Sequence, residues 1–561
     1  MNKPCQHCSK TFTLYPEDTD FYKRVNVPEP TRCPDCRKQR RFAFRNEQNF
    51  YNRQCDSCQK NIVSVYAPSY PGKVYCLKCW WSDKLDAKDY GRDFDFSQPF
   101  FAQYQKLLQD VPAVALMNDN GVQSENCEYT YDFAKGKNSY MIITSWNVEN
   151  SMYGLEVNQT KELMDCCDVN HSELVYESVV VENCYNGRYN YYSRNINNCM
   201  FIFDLQGCSD CLFCTGLRNK QYCIWNKQYS KEDYEKKKLE LDFSSYHNIQ
   251  KYIKIFDEFI IKTPRRFAYL YKCQNSTGDI LTRCHDCFNC FIYSDLINCR
   301  YMHFGDTGRD SMDVDHSGNP ELCYESITPD DSYNNMFTIF VWKSKFVSYS
   351  ENCHSSSDLF GCVGLKRQKK CILNKQYSDA DYKKLKSQII AHMQATGEYG
   401  EFFPLNISPF AYNESLANDF YPLSKAEVMQ KGLYYSENLP QVTGKETIKT
   451  EDIPDQIINI TEEICQKVLI CKECSRNYKI IKQEYNYYKQ HDIPLPRECM
   501  YCRYKKRMTK VNQANLWHRQ CDCTQPDHGH AGRCTNEFET TYSPDRKELV
   551  YCEDCYRKEI Y

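Results

Sequence analysis

The stretch NCEYTYDFAKGKNSYMIITSWNVENS, from Asn126 to Ser151, repeats an asparagine followed by a small residue every 12 positions. Asn126, Asn138 and Asn150 precede cysteine, serine and serine, and similar pairs recur less evenly as far as Asn352. Short β-prone runs such as MIIT, MFIF and FTIFVW lie between them. One small residue beside asparagine per short strand is typical of stacked parallel strands, in which identical side chains form ladders. We therefore expect a parallel β-solenoid-like centre.

A longer repeat divides this centre into two copies. SELVYES at Ser172 returns as PELCYES at Pro320, and CTGLRNKQYCIWNKQYSKEDY at Cys214 returns as CVGLKRQKKCILNKQYSDADY at Cys362. Both pairs lie 148 residues apart, so the copies are ungapped. Each copy closes in NKQYS. We assign β-solenoid repeats to residues 122–229 and 268–377.

Helical sequence surrounds the two copies. Ser230 and Ser378 are good N-cap residues ahead of KEDYEKKKLELDF and DADYKKLKSQIIAHM. PFFAQYQKLLQDV, starting at Pro99, has helical spacing as well. We expect a helical connector at residues 83–121, a helical insertion at 230–267, and a helical segment with a linker at 378–465.

A Cys-x-x-Cys pair followed by basic residues occurs near both ends of the chain. PTRCPDCRKQRRF begins at Pro30 and PRECMYCRYKKRM at Pro496, and equivalent residues are 466 positions apart as far as Cys521. Beyond Cys521 the offset is 476, because the second copy gains ten residues within CDCTQPDHGHAGRC. We assign residues 1–82 and 466–561 to tandem zinc-ribbon modules, called here the N-terminal and C-terminal modules.

Cys-x-x-Cys knuckles supply the metal ligands predicted for both modules. Two thiolates in such a turn reach one Zn²⁺ at about 2.3 Å, and two knuckles complete a tetrahedron. Four knuckles per module predict about four Zn²⁺ ions in closed, structural sites. Sequential and cross-braced pairing both fit the spacing, and we favour sequential pairing. The predicted ligands are Cys5, Cys8, Cys33, Cys36, Cys55, Cys58, Cys76, Cys79, Cys471, Cys474, Cys499, Cys502, Cys521, Cys534, Cys552 and Cys555.

The ten extra residues of the C-terminal module add spare ligands. Cys523, His528 and His530 either replace Cys521 or hold another ion. A catalytic zinc keeps one position open for water, and this insertion is the only foothold for an enzyme. The sequence has no G-x-S-x-G, phosphate-loop or H-E-x-x-H motif. We therefore predict a protein that is not an enzyme.

Positive charge follows the second knuckle of each module. A basic helix of this kind can lie along a phosphate backbone and release counterions, and the nearby Phe42, Tyr51 and Trp517 can stack on unpaired bases. The alternative is a solvated helix face, or one paired with acidic residues elsewhere. The candidate nucleic-acid-binding residues are Arg37, Lys38, Arg40, Arg41, Arg45, Arg503, Lys505, Lys506, Arg507 and Lys510.

Two C-x-x-C-x-x-C runs inside the centre allow an iron–sulfur interpretation. The runs do not occupy equivalent positions of the two copies, and each lacks a fourth ligand at short spacing. Small cysteines buried as ladder residues are the better interpretation. The cysteines concerned are Cys208, Cys211, Cys214, Cys284, Cys287 and Cys290.

Composition limits the class of protein. The 561 residues suffice for several domains, and a net charge of −3 leaves nucleic-acid affinity to local patches. MNKPCQHC has no apolar run, and no stretch of about 18 apolar residues occurs. We expect no signal peptide, no membrane association and a cytoplasmic location, or a virion if the protein is viral. Cysteine pairs without a secretion signal favour metal ligation over disulfides.

The N-terminal segment CQHCSKTFTLYPEDTDFYKRVNVPEPTRCPDCRKQRR resembles a zinc-ribbon domain in which a Phe-Tyr pair, here Phe21-Tyr22, separates the two knuckles. RNEQNFYNRQCDSC, WWSDKLDAKDYGRDFDFSQPFF, LRNKQYCIWNKQYS and GEFFPLNISPFAYNES resemble large cysteine-rich zinc-ribbon proteins of candidate-phyla bacteria and giant DNA viruses. The likeness covers nearly the whole chain. It implies zinc and this architecture, and it implies no activity.

These observations predict a mainly β fold: a duplicated parallel β-solenoid-like centre with helical insertions, flanked by tandem zinc-ribbon modules. The predicted function is a non-catalytic zinc-binding protein whose basic segments bind nucleic acid or a ribonucleoprotein, with two linked heads raising avidity. The alternative is a protein-interaction scaffold or a structural protein of a viral particle, with zinc modules capping the solenoid. The third function is an enzyme using the C-terminal Cys/His insertion.

Overall fold

The structure is a computed structural model that describes residues 1–118, 123–440 and 442–560. The predicted boundary between residues 121 and 122 lies outside the described residues. The N-terminal module contains two small antiparallel hairpins, within residues 2–13 and 51–64, and the second knuckle of each cysteine group lies at the start of a helix. The first elements are β1 (Asn2–Pro4), β2 (Thr11–Thr13), α1 (Pro16–Arg24), α2 (Pro34–Phe42), β3 (Tyr51–Gln54), β4 (Asn61–Ser64), β5 (Val74–Tyr75), α3 (Leu77–Trp80), α4 (Phe100–Asp110) and β6 (Ala113–Val114).

The first copy of the centre forms an eleven-stranded sheet, called here the first stack. Consecutive strands pair in parallel with a shift of 12 residues, as between Met152 and Met164. Its strands are β7 (Tyr131–Ala134), β8 (Tyr140–Trp146), β9 (Val148–Glu149), β10 (Met152–Asn158), β11 (Thr160–Asn170), β12 (Glu173–Tyr176), β13 (Val179–Asn197), β14 (Met200–Phe203), β15 (Ser209–Thr215), β16 (Gln221–Ile224) and β17 (Lys227–Gln228).

Helices and the second stack follow. The second stack is again an eleven-stranded, mostly parallel sheet, in which Tyr324 pairs with Met336. The elements are α5 (Lys231–Leu239), α6 (Tyr246–Ile261), β18 (Arg265–Arg266), β19 (Leu270–Tyr271), β20 (Gly278–Thr282), β21 (Cys290–Ile297), β22 (His303–Arg309), β23 (Val314–Ser317), β24 (Tyr324–Ile327), β25 (Met336–Ile339), β26 (Lys345–Glu351), β27 (Ser357–Phe360), β28 (Lys369–Ile372), β29 (Lys375–Gln376), α7 (Asp379–Thr396), α8 (Leu416–Phe420) and α9 (Lys425–Gln430).

The C-terminal module repeats the plan of the N-terminal one. Its hairpins β30–β31 and β32–β33 are antiparallel. Its elements are β30 (Leu469–Ile470), β31 (Asn477–Tyr478), α10 (Lys482–Gln490), α11 (Met500–Met508), β32 (Trp517–Gln520), β33 (Glu537–Thr540), β34 (Val550–Tyr551) and α12 (Glu553–Ile560).

Each rung of a stack is built from four triplets of residues. In the first stack every third residue, as at Asn126, Tyr129 and Asp132, has a left-handed backbone with φ near 55°. The residue after each left-handed one points inward, and the buried core from Phe133 to Cys223 consists of such positions alone. Asparagine is among the residues that best tolerate this conformation, which explains its recurrence in the sequence.

The predicted asparagine ladder is present. The Asn126 Nδ2 donates to Asn138 Oδ1 over 3.0 Å, and Asn138 Nδ2 donates to Asn150 Oδ1 over 3.2 Å. At the end of each stack the NKQYS motif folds back as an antiparallel strand, β17 or β29. The Asn374 Oδ1 accepts the Val363 N–H there at 2.8 Å, so the motif pairs groups of an otherwise open sheet edge.

Serine and cysteine side chains inside the stacks form hydrogen bonds with inward-facing backbone groups. The Ser145 hydroxyl donates to the Ile143 carbonyl over 2.8 Å and accepts the Val157 N–H of the next rung over 3.0 Å. The Cys166 thiol likewise donates to the Met164 carbonyl at 3.4 Å. A narrow interior needs small side chains that satisfy inward-facing backbone groups, and this need accounts for the many cysteines outside the modules.

Substitution of an interior cysteine by serine should therefore lower the stability of the stack only slightly. Cys166→Ser keeps a donor for the Met164 carbonyl, and Ser178, one rung further on, makes the same bond to Tyr176 over 3.0 Å. We expect the free energy of unfolding in urea to fall by no more than about 1 kcal/mol. A loss of several kcal/mol would contradict this explanation of the cysteines.

The predicted helices are confirmed by their caps. The Ser230 and Ser378 hydroxyls accept the N–H groups of Asp233 and Asp381 at the first turns of α5 and α7. The helix predicted from Pro99 is α4. Helices make up 25% of the structure and strands 31%, so the mainly β prediction holds for the centre and fails for the chain as a whole. None of the helices within the described residues has both the length and the apolar character to cross a membrane.

The chain divides into two compact units, and each joins segments that are distant in sequence. Unit 1 combines Met1–Asn120 with Tyr269–Leu439, and unit 2 combines Gly121–Ala268 with Pro440–Tyr561. The N-terminal module thus belongs with the second stack, and the C-terminal module with the first. The order of module and stack along the chain is consequently reversed between the units.

Candidate metal centres and arginine contacts

Sixteen cysteines form four groups of four, and all 36 cysteines of the chain are free thiols. Neighbouring knuckles meet at Sγ–Sγ distances of 3.9 Å for Cys8 and Cys33 and 3.7 Å for Cys474 and Cys499. Zn–S bonds of about 2.3 Å require a tetrahedron edge of about 3.8 Å, so the geometry fits zinc. The pairing is sequential, as predicted: Cys5, Cys8, Cys33 and Cys36; Cys55, Cys58, Cys76 and Cys79; Cys471, Cys474, Cys499 and Cys502; Cys521, Cys534, Cys552 and Cys555.

The first knuckle of three groups ends in a left-handed residue. Ser9, Gln59 and Ser475 have φ values of 61°, 60° and 58°. The turn lets the Ser9 N–H donate to the Cys5 carbonyl at 2.9 Å. In each of the four groups the first thiolate also accepts a backbone N–H from the second knuckle, as when Cys33 N donates to Cys5 Sγ over 3.3 Å.

The second knuckle lies at the start of a helix. Cys33, Cys76 and Cys499 are the N-cap residues of α2, α3 and α11, where the partial positive charge of the helix favours a thiolate. A hydrogen bond from the Cys36 thiol lowers the pKa of Cys33 to about 5. Burial raises the pKa of Cys55, but backbone N–H donors outweigh burial and lower that pKa to about 7. In the same groups the hydrogen bond with Cys33 raises the pKa of Cys36, and burial raises the pKa of Cys76 to about 12. Each of these two groups therefore contains both a thiol with a lowered pKa and a thiol with a raised pKa.

Burial is the main influence on the pKa of several cysteines inside the stacks. Burial raises the pKa of Cys166 and of Cys353 to about 12. The two C-x-x-C-x-x-C runs occupy successive inward positions, and the Cys214 thiol donates to the Leu212 carbonyl over 3.2 Å. Within the described residues these runs form no metal-ligating group, which supports their interpretation as ladder residues.

The spare ligands of the C-terminal insertion form a fifth group. Cys523, His528 and His530 gather with Cys555, and their ligand atoms all lie within 4.8 Å of one another. Cys521 stays with the fourth four-cysteine group, so the insertion does not replace it. Cys555 belongs to both groups.

The arginines of α2 point into the second stack and are buried. Arg37 Nε donates to Asp313 Oδ2 over 2.9 Å, and Arg41 Nη1 donates to Asp313 Oδ1 over 3.1 Å. Arg41 also pairs with Asp315. Arg37 and Arg41 are each 1% exposed and Asp313 is 0% exposed. A side chain in this position cannot face a phosphate backbone.

The arginines of α11 make the equivalent contacts in the first stack. Arg503 Nε lies 2.9 Å from Asp165 Oδ2, and Arg507 Nη1 donates to Asp165 Oδ1 over 2.7 Å. Arg507 also lies 3.5 Å from Glu177. Burial raises the pKa of Glu177 to about 7, while the Arg507 guanidinium opposes that shift.

A tyrosine–carboxylate contact completes both interfaces. Tyr301 donates to Asp18 over 3.0 Å in unit 1, and Tyr153 donates to Glu484 over 2.9 Å in unit 2. The module residues of the two interfaces differ by 466 positions, and the stack residues by 148, which are the offsets of the two sequence repeats. The same docking interface therefore occurs twice. The equivalent pairs are Arg37 and Arg503, Arg41 and Arg507, Asp18 and Glu484, Asp313 and Asp165, Glu325 and Glu177, and Tyr301 and Tyr153.

Most of the other predicted nucleic-acid-binding residues also form contacts within the chain. Arg40 pairs with Glu325 and Glu401, and Arg45 with Glu47. Lys38 is buried beside the rings of Phe291 and Tyr421. Lys506 pairs with Glu473 and Glu498, and Lys510 with Asp257. Lys505 is exposed and lies 4.6 Å from the centroid of the Tyr501 ring. The prediction of a basic surface made by these ten residues is thus corrected: most of them form internal contacts.

The N-terminal segment contacts the second stack at several levels, whereas the scaffold alternative placed the zinc modules as caps on the solenoid. In unit 1 the Tyr15 ring contacts Phe288, Tyr22 contacts Tyr324, and further along the chain Trp80 contacts His354. These partners are 36 and 30 residues apart, so they lie on well-separated rungs, and the N-terminal segment packs along the side of the second stack. Aromatic edge-to-face contacts of this kind add to the burial of apolar surface.

Comparison of the sequence with protein-family models and with curated proteins gave no match. The four groups of four cysteines support the zinc-ribbon part of the resemblance inferred from the sequence. The acidic docking partners were missed at the sequence level. Part of their signal was present in the repeated SELVYES and PELCYES motifs, which carry Glu177 and Glu325, whereas Asp165 and Asp313 lie just before these motifs.

Proposed function

We propose that this protein is a non-catalytic, zinc-dependent scaffold in which each zinc module braces one β-solenoid along its side. The observation that carries this proposal is the docking interface that recurs in both units with the same residue types. Each stack is one solenoid. In each module a helix begins at a four-cysteine group, and the arginines of that helix reach into the solenoid.

Closed metal groups support a structural role for zinc. Four cysteines around one ion leave no position for water or substrate. The helices α2 and α11 begin at the ligands Cys33 and Cys499, so loss of the ion would release the arginines next to them. Zinc binding and docking are thus expected to be coupled.

Protein partners fit this arrangement better than nucleic acid does. The predicted phosphate-binding arginines are neutralised by carboxylates of the same chain, whereas Lys505 of α11 is exposed. A nucleic-acid or ribonucleoprotein partner, and a place in a viral particle, stay predictions from the sequence.

The two partner classes separate in one experiment on complexes isolated from the native source. The lysate is divided, one half is treated with RNase and DNase, and the complexes are compared by size-exclusion chromatography and quantitative mass spectrometry. A scaffold predicts stoichiometric protein partners that stay bound after nuclease treatment. The purified chain should also show no salt-sensitive binding to a labelled single-stranded RNA or DNA duplex.

Affinity that falls steeply with salt, together with complexes dissolved by nuclease, would overturn the scaffold and favour nucleic acid. Lys505→Gln is the informative variant in that case, because it removes exposed charge without touching a buried ion pair. Lys384→Gln, on the exposed face of α7, is the matched control.

A further inference from the structure

The C-terminal module has a feature that its N-terminal copy lacks. Ten residues are inserted between Cys521 and Cys534, and they form a short turn at Pro526–His528 followed by Gly529. Gly529 has a left-handed backbone with φ of 86°, which glycine adopts without steric cost. This reversal brings His528 and His530 to the same side, next to the fourth four-cysteine group.

Distances within the insertion match those between ligands of one ion. His528 Nδ1 lies 3.2 Å from Cys523 Sγ, and His530 Nε2 lies 3.4 Å from Cys555 Sγ. Zinc with bonds of about 2.3 Å to sulfur and about 2.0 Å to nitrogen requires an edge of about 3.5 Å. Cys523 is fully buried and His528 is 7% exposed, whereas His530 is half-buried, so three of the four ligands are covered by protein and the fourth lies at its edge.

The second nitrogen of each histidine ring faces an oxygen atom, and in His530 the contact is a hydrogen bond. His530 Nδ1 lies 3.0 Å from the Gly532 carbonyl, and His528 Nε2 lies 3.9 Å from a Glu559 carboxylate oxygen. A carbonyl or carboxylate at that nitrogen fixes the ring and leaves the other nitrogen free for a metal. For His530 this contact is within hydrogen-bond distance and orients Nε2 toward Cys555, whereas the carboxylate near His528 is too distant for a direct hydrogen bond.

Cys555 is the fourth ligand of this group and also of the neighbouring four-cysteine group. Both groups can be filled at once only if the Cys555 thiolate bridges two ions. Two divalent ions shared among five thiolates and two neutral imidazoles leave one net negative charge, compared with two for an isolated site of four thiolates. Bridging therefore lowers the electrostatic cost of burying the site.

We propose that the C-terminal module holds a binuclear zinc centre in which Cys555 bridges a site of four cysteines and a site of two cysteines and two histidines. The chain then binds five ions, two of them in this centre. The inference rests on the proposed zinc occupancy of the four groups of cysteines. It assigns a structural role to the insertion and fills the position that an enzyme would need for water.

Zinc per chain, measured by elemental analysis of the full-length protein after exhaustive dialysis, tests the proposal. We expect five ions in the wild type and four in Cys523→Ala/His528→Gln/His530→Gln. Cys555→Ala should lose two ions. Cys79→Ala, the equivalent change in the module without the insertion, should lose one.

Cobalt substitution gives a readout that does not depend on a variant folding. A bridging thiolate couples two high-spin Co²⁺ ions antiferromagnetically, so the wild type loaded with five Co²⁺ ions should give a weaker EPR signal per cobalt than the wild type loaded with one. Four ions in the wild type, or five without magnetic coupling, would overturn the bridge and leave the proposed function standing. Absence of bound metal would overturn both.

Discussion

Asp313→Asn should lower the free energy of unfolding of unit 1 by on the order of 3 kcal/mol. The substitution keeps the shape of the side chain and tolerates the left-handed backbone at this position, where φ is 53°. It removes the charge that faces Arg37 and Arg41 in a fully buried position. Two guanidinium groups are then left with too little negative charge, and water does not reach them to compensate.

Urea denaturation followed by circular dichroism measures this loss. Asp331→Asn is the matched control, since Asp331 has the same left-handed backbone in the same stack but is exposed; we expect it to change stability by less than about 0.5 kcal/mol. Asp165→Asn should reproduce the loss in unit 2. Addition of Arg37→Met to Asp313→Asn should restore part of the stability, because it removes an unpaired buried charge. Equal effects of Asp313→Asn and Asp331→Asn would contradict the assigned interface.

Cys499→Ser should remove one zinc ion and unfold the part of the C-terminal module that carries α11. Structural zinc contributes roughly 10–16 kcal/mol to the folding of small zinc domains, which is more than this module can recover from its own small core. Cys499 is a ligand and also the N-cap residue of α11. Its loss is expected to release Arg503 and Arg507 from Asp165.

Hydrogen exchange detects this release at a distance from the metal. Amides of α11 should lose protection together with those around Asp165 in β11, on the stack face covered by the module. Cys166→Ser is the control: it makes the same chemical change next to Asp165 in a cysteine that is not a ligand. Loss of zinc with unchanged protection of β11 would show that docking does not depend on the ion.

The triplet that shapes each rung was present in the sequence but was recognised only in part. Asn126, Asn138 and Asn150 gave the 12-residue period. The uneven intervals, such as 15 residues from Asn183 to Asn198 and 9 from Asn289 to Asn298, are multiples of three. Each asparagine occupies a left-handed position, so the irregularity reflects a choice among four equivalent positions per rung.

The sequence by itself determined the candidate metal ligands, the duplicated stacks and the capped helices, because each depends on residues close together in the chain or on a fixed period. Only the tertiary structure decided which module packs on which stack. Arg37 and Asp313 are separated by 276 residues, and no local pattern connects them. A run of arginines is equally compatible with binding to phosphate and with binding to carboxylate. Here the arginines are buried against the stack, and a guanidinium removed from water needs a fixed negative partner. The carboxylates of the neighbouring strands provide that partner.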